Sequence, residues 1–213
     1  MPRTSVSCIH RSSTLCWAAM LTVYGDIRSG NCLKVRWLLT RLGIDYQWIE
    51  TDIMSGTTRT PEFLKMNPAG QLPTAVLADG RALAQSNAIL VHMAEGSPWI
   101  PADPFARAKM FEWLFWEQYS HEPYIAVARF QRTLGGKAEA DVEPRLMERG
   151  RAALARMEAA LAAADWLAGD GPTIADLALV AYTRVAPEGG FDLEPCPAVR
   201  AWIARVEAVF GIV

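Results

Sequence analysis

The chain has 213 residues and is 51% hydrophobic, enough to build one or two domains around a sizeable core. Its 21 basic and 23 acidic residues leave a formal charge of -2 with no long run of either sign, which argues against nucleic acid or a membrane surface as a partner. Cys8, Cys16, Cys32 and Cys196 have neither metal-ligand spacing nor the density of a disulfide scaffold, so reduced thiols, no metal and a cytoplasmic location are expected.

Residues 1–19 are rich in Ser, Thr, Cys and Arg without an apolar period. They read as a disordered or mis-assigned extension, with Met20 as the natural start, because residues 11–14 interrupt the only candidate for a signal-peptide core. A short β-favouring run over residues 21–24 then passes through a Gly/Asp/Ser/Gly/Asn-rich bend into Val35, Leu38, Leu39 and Leu42 at helical spacing. At that strand-loop-helix junction a hydroxyl (Ser29), an amide (Asn31) and a thiol (Cys32) sit where free helix N–H groups favour an anion. Chemistry is expected there.

Gly43 stops the helix, and residues 45–51, with Tyr46, Trp48 and Ile49, read as a second strand. Thr60-Pro61 opens a short helix to about Met66, ended by Asn67-Pro68-Ala69-Gly70. Residues 74–78 and 81–84 around Asp79-Gly80 form the strongest hairpin signal in the chain. Ser86 is expected to cap a helix over residues 88–95. This βαβ unit followed by a hairpin and helix predicts a domain over residues 20–96. The Pro-rich stretch 97–104 is a linker by composition.

Beyond the linker only helix is expected, giving an all-helical domain over residues 105–213. Residues 105–129 are apolar on more than one face and predict one long central helix, in which Trp113 and Trp116 suit a core or subunit interface. Residues 144–164 form an amphipathic helix. Thr173 with Asp176 has the form of a capping box before an apolar run over residues 177–185, and a last helix begins near Pro197.

Four motifs occur in an order that resembles the cytosolic glutathione transferases: Ser29-Gly30-Asn31, residues 67–73 (Asn-Pro-Ala-Gly-Gln-Leu-Pro), Gln85-Ser86, and Thr173-Ile174-Ala175-Asp176. The resemblance runs from about Leu21 to the C-terminus. It implies an α/β plus all-α fold class, with a thioredoxin-like N-terminal domain and an all-helical C-terminal domain, and as partners glutathione as co-substrate, a small apolar electrophile and a second copy in a homodimer. It implies no other cofactor. Ser29 matches the serine of theta-like branches and Asn31 an asparagine of bacterial nu-like members, so both are expected to stabilise the glutathione thiolate. Gly30 would allow close backbone approach, Leu72 before a cis Pro73 would pair with the cysteinyl moiety, and Gln71 would reach the glycyl end. Gln85 and Ser86 match the positions that hold the γ-glutamyl group, although many members carry an acidic residue where Gln85 stands.

Tyr24 competes as thiol activator, since Tyr-Gly-Asp-Ile-Arg also resembles the mu-class entry sequence. Cys32 takes the place of the shielded second cysteine of a Cys-x-x-Cys motif and reads as a small core residue. Tyr119, Glu122 and Tyr124 are candidates for the electrophile site, while His121-Glu122 also fits a solvated or interdomain pair. Conjugation of glutathione to an electrophile is the expected activity. The alternatives are glutathione-dependent reduction of disulfides or peroxides, and a non-catalytic glutathione-binding or protein-interaction module.

Overall fold

The computed structural model describes residues 20–212. The expected extension at residues 1–19 lies outside the described residues. Four strands, β1 (Leu21–Gly25), β2 (Tyr46–Glu50), β3 (Thr74–Val76) and β4 (Ala82–Ala84), form one mixed sheet in the order β2-β1-β3-β4. β1 runs parallel to β2 across the helix α1 (Gly30–Leu42) and antiparallel to β3. The β3–β4 hairpin follows, pairing Ala75 with Leu83.

Alternation along β1 sends Leu21 and Val23 to a buried face covered by α1 and α3 (Ser86–Ala94). Tyr24 points the other way and meets Phe63 of α2 (Pro61–Met66) edge-on, at 5.8 Å between ring centroids. Gly43 closes α1 in the left-handed conformation at φ 66°, and Thr60 Oγ1 caps α2 by accepting from the Phe63 N–H. The Leu72-Pro73 bond is cis.

Two expectations need correction. Ser86 is the first residue of α3 and caps nothing: the cap position falls to Gln85, at φ 70°, and the Ser86 hydroxyl donates elsewhere. The long helix over residues 105–129 is interrupted. It comprises α4 (Pro104–Trp116), a π-helical turn at Glu117–His121 and α5 (Glu122–Thr133). Pro123 explains the break, because its nitrogen has no proton for the Tyr119 carbonyl and its ring needs a wider turn beneath it.

The helical part continues with α6 (Pro144–Leu161), α7 (Ile174–Thr183) and α8 (Pro197–Phe210). Every residue of α7 is buried, which makes it the axis of the second domain. Its capping box is formed: Thr173 Oγ1 accepts from Ala175 N and Asp176 Oδ2 accepts from Thr173 N at 2.8 Å. Asp176 also accepts from Trp202 Nε1 at 2.9 Å, tying α8 to the start of α7. α1 packs against α3 on its own sheet and against α7 of the helical part, so the loop at its N-terminus sits at the seam.

Candidate active site

The loop from β1 to α1 is built around Asp26. Its carboxylate, 1% exposed, accepts from the Arg28 backbone and guanidinium and from Ile53 N at 3.1 Å. The bonds from Arg28 hold this carboxyl at about 2, below the usual range, despite burial. The same guanidinium reaches Asp52, so the loops after β1 and β2 are clamped together. Ser29 N then donates to Asp26 O, and Ser29 O receives Cys32 N and Leu33 N, each at 3.0 Å. Ser29 is thus the N-cap residue of α1 by position, yet its side chain makes no capping bond; its half-buried hydroxyl reaches the phenol of Tyr182 at the edge of the cleft.

Asn31, one residue into the helix, is the hub of a network spanning both domains. Its Oδ1 accepts from Lys34 Nζ at 2.8 Å and from Ser86 Oγ at 3.1 Å. Its Nδ2 donates to Glu122 Oε1 at 3.1 Å, and its backbone N–H donates to Tyr182 Oη at 3.3 Å. Lys34 and Glu117 are both fully buried and paired at 2.8 Å; Asn87 and Gln118 donate to the second oxygen of Glu117. Burial raises the Glu117 carboxyl, but the Lys34 charge and hydrogen bond outweigh it and keep it below the usual range. Burial pushes the Glu122 carboxyl up, with the Glu117 charge adding to the push and Lys34 opposing it.

Tyr182, on α7, is a residue the sequence reading missed, because it stands in a run that is apolar all round. A Cβ at Gly30 would lie 2.9 Å from its ring, so glycine there admits the close approach of Tyr182. Burial drives its phenol well above the ordinary value, and the Glu122 charge adds to that; the Ser29 hydroxyl and Asn31 amide oppose. The phenol is a neutral strut between the two domains. The adjacent hydroxyls of Tyr182 and Thr183 were the polar signals within the apolar run.

Two adjacent cavities flank the loop. Asn31, Gln71, Leu72, Pro73, Gln85 and Ser86 line the larger, of ≈ 290 Å³, together with Glu122. Asn67 Nδ2 and Thr74 Oγ1 both donate to Gln71 O, which fixes the turn that carries Leu72. The smaller cavity, ≈ 110 Å³, is lined by Ser29, Ala126, Phe130, Leu134 and Tyr182, and shares Leu72 and Ile53 with its neighbour. Tyr24 lines neither cavity. Tyr119 is 81% exposed and, with Tyr124, borders a separate cavity next to Trp116 and Arg149. Of the three residues proposed for an electrophile site, the structure brings only Glu122 to the loop.

Cys32 is buried, which raises its thiol to about 11 and leaves it inert. His121 is also fully buried, with Nε2 at 2.9 Å from Thr183 Oγ1, so it belongs to the domain interior and not to solvent. Trp113 is buried and stands edge-on to Trp116, with the Arg156 guanidinium over both rings. Among the described residues, no cluster of three or more His, Cys, Asp or Glu is arranged to hold a metal, and no helix is long and apolar enough to cross a membrane.

Known proteins match both parts of the chain. Residues 28–95 match the family described as glutathione S-transferase, N-terminal domain, and residues 111–209 the glutathione S-transferase C-terminal domain. Glutathione S-transferase 3 of Zea mays is 33% identical over 202 residues, covering 89% of this chain and 90% of that one. A solved glutathione S-transferase from Xanthobacter autotrophicus superposes with a TM-score of 0.85 at 51% identity, covering 91% of this chain and 95% of the other. The structure of Ure2p in complex with glutathione superposes with a TM-score of 0.82 at 27% identity, covering 92% of this chain and 99% of that one. With both domain families matched in order on a thioredoxin-like sheet and an all-helical bundle, the chain belongs to the glutathione S-transferase family.

Proposed function

We propose that this glutathione transferase, whose co-substrate is glutathione, lays the tripeptide along the larger cavity and ionises its thiol between Ser29 and Asn31. The observation that carries this reading is the junction of the two cavities: Ser29 lines one, Asn31 the other, and Leu72 both. The Leu72 backbone would pair with the cysteinyl moiety like an added strand, and Ser86 at the start of α3 suits the γ-glutamyl carboxylate. Gln71 and Gln85 complete the walls, with Gln85 Nε2 within 3.5 Å of Gln71 Oε1.

A free thiol is only a few per cent ionised at neutral pH. Each donor to the thiolate, at about 1.5–3 kcal/mol for a hydrogen bond to a charged group, lowers its pKa by roughly one to two units. The smaller cavity, walled by Ile53, Ala126, Phe130 and Leu134, accepts a small apolar electrophile beside the sulfur. The Ser29-Gly30-Asn31 loop is the feature that supports reading the chain as a theta- or nu-like bacterial member. Phe105 and Phe115, 74% and 71% exposed, with Phe111 stacked on Phe115 beside the start of α3, support a homodimer. A cytoplasmic location and a division into residues 20–96 and 105–213 complete the reading.

The test is the thiolate absorbance of bound glutathione against pH in wild type, Ser29→Ala, Asn31→Ala and Tyr24→Phe. The serine and asparagine variants should each raise the thiol pKa by about one to two units, and Tyr24→Phe should leave it in place. A shift in Tyr24→Phe alone refutes the assignment. Turnover of a chloro-nitroaromatic acceptor is expected, and turnover of a mixed glutathione disulfide alone would move the activity to thiol-disulfide exchange.

A further inference from the structure

Asn31 is held by two opposite charges, and their positions decide which end of its amide faces the cleft. A carboxamide offers two lone pairs on oxygen and two hydrogens on nitrogen. Both lone pairs of Oδ1 are taken, by the Lys34 ammonium at 2.8 Å and the Ser86 hydroxyl at 3.1 Å. One Nδ2 hydrogen is taken by Glu122 Oε1 at 3.1 Å. A flipped amide would set its NH₂ against an ammonium, which can only donate, and its oxygen against a carboxylate, which accepts. The orientation is therefore unique, and one Nδ2 hydrogen remains for the cavity that Asn31 shares with Leu72 and Glu122.

Lys34 comes from the helix of Asn31 itself, and Glu117 satisfies it. Glu122 comes from α5, across the domain seam, at the residue that follows the π-helical turn. That widened turn sets where the carboxylate of Glu122 projects. Without it, Nδ2 would lose its only protein acceptor among the described residues, and the amide could rotate about its last torsion with just its oxygen anchored.

We infer that Glu122 is a positioning residue: from the helical domain it orients the Asn31 amide so that Nδ2 delivers its second hydrogen to the glutathione sulfur. This rests on the reading above, in which Asn31 contacts the thiol. Glu122 itself touches no reacting atom. The charged groups around it are Lys34 and Glu117, and both are retained in the variants below.

The experiment measures the thiol pKa of bound glutathione and steady-state conjugation for Glu122→Ala, Glu122→Gln and Glu122→Asp, each alone and with Asn31→Ala. Glu122→Ala should raise the thiol pKa and lower kcat/KM about tenfold, mostly in kcat, with KM for glutathione changed less. Glu122→Gln should restore both, because its carbonyl oxygen accepts the same bond, and with one anion fewer the thiol pKa should fall at or below wild type. Glu122→Asp keeps the charge but lacks the reach, so it should behave like Glu122→Ala. With Asn31→Ala present, none of the three should add a further loss. Near-wild-type behaviour of Glu122→Asp, or a Glu122→Gln enzyme as impaired as Glu122→Ala, overturns the inference while leaving Asn31 in its role. An unshifted thiol pKa in Asn31→Ala overturns both, and so separates failure of the site reading from failure of the positioning role.

Discussion

Lowering the pH from 7 to 5 should destabilise the fold through His121, which is buried and neutral. Thr183 gives its own proton to Leu179 O at 2.7 Å, so its oxygen accepts from His121 Nε2 at 2.9 Å. The imidazole therefore carries its proton on Nε2, and Nδ1 has no partner. A second proton would create a cation without an acceptor, 6.0 Å from the Trp116 ring centroid, in a site that also feels the Lys34 charge. Burial accordingly lowers this histidine from 6.5 to about 4, with Glu117 opposing the shift. The folded pKa is depressed, so the unfolded chain binds more protons and stability is lost as the pH falls below 6.5 towards 4.

With these two pKa values the loss contributed by His121 is about 0.2 kcal/mol at pH 7 and about 2 kcal/mol at pH 5. Glu122 and Asp176, whose carboxyls burial raises, act with the opposite sign, so the wild-type slope alone does not isolate the histidine. The comparison is with His121→Gln, by urea unfolding at both pH values. Wild type should lose about 1.8 kcal/mol more than the variant between pH 7 and 5. Equal pH dependence in the two proteins would mean that His121 titrates alike in the folded and unfolded chain, and the reasoning would fail.

Replacing Lys34 by Met leaves the Glu117 charge buried and uncompensated, so a loss of about 3–5 kcal/mol is expected by chemical unfolding; a loss below about 1 kcal/mol would show that Asn87 and Gln118 suffice. A Cβ at Gly150 of α6 would lie 2.3 Å from the Phe191 ring, and Gly150→Ala should destabilise by about 1–3 kcal/mol in calorimetry, although alanine is the better helix former. Cys32, with its thiol at about 11, should resist iodoacetamide at pH 7.5 in the native protein and react once unfolded, read as label on its peptide by mass spectrometry. Labelling at the native rate of a free thiol would mean that the helix start is open.

The elements that local chemistry specifies were legible in the chain. The Thr173-Asp176 box, the Thr60-Pro61 start of α2, the Gly43 stop and the Asp79-Gly80 turn are all where their residue types predict. Each depends on partners within a few residues. Pro123 carried a readable signal too, but the apolar pattern around it favoured one uninterrupted helix, and the break at Glu117–His121 was not expected. Ser86 shows the opposite error: a hydroxyl at a helix start was assigned to its own backbone, whereas it donates to Asn31, 55 residues away.

The sequence by itself determined the order of strands and helices, the two-domain pattern and the loop at Ser29-Gly30-Asn31, because turn residues, caps and hydrophobic periods act locally. The tertiary structure alone decided what surrounds that loop. Lys34 meets Glu117 83 residues away, Asn31 meets Glu122 91 away and Tyr182 151 away, and nothing in local spacing selects such partners. Packing α1 against α7 removes water from these groups, and a buried charge must then be satisfied by whichever polar groups the second domain brings to it.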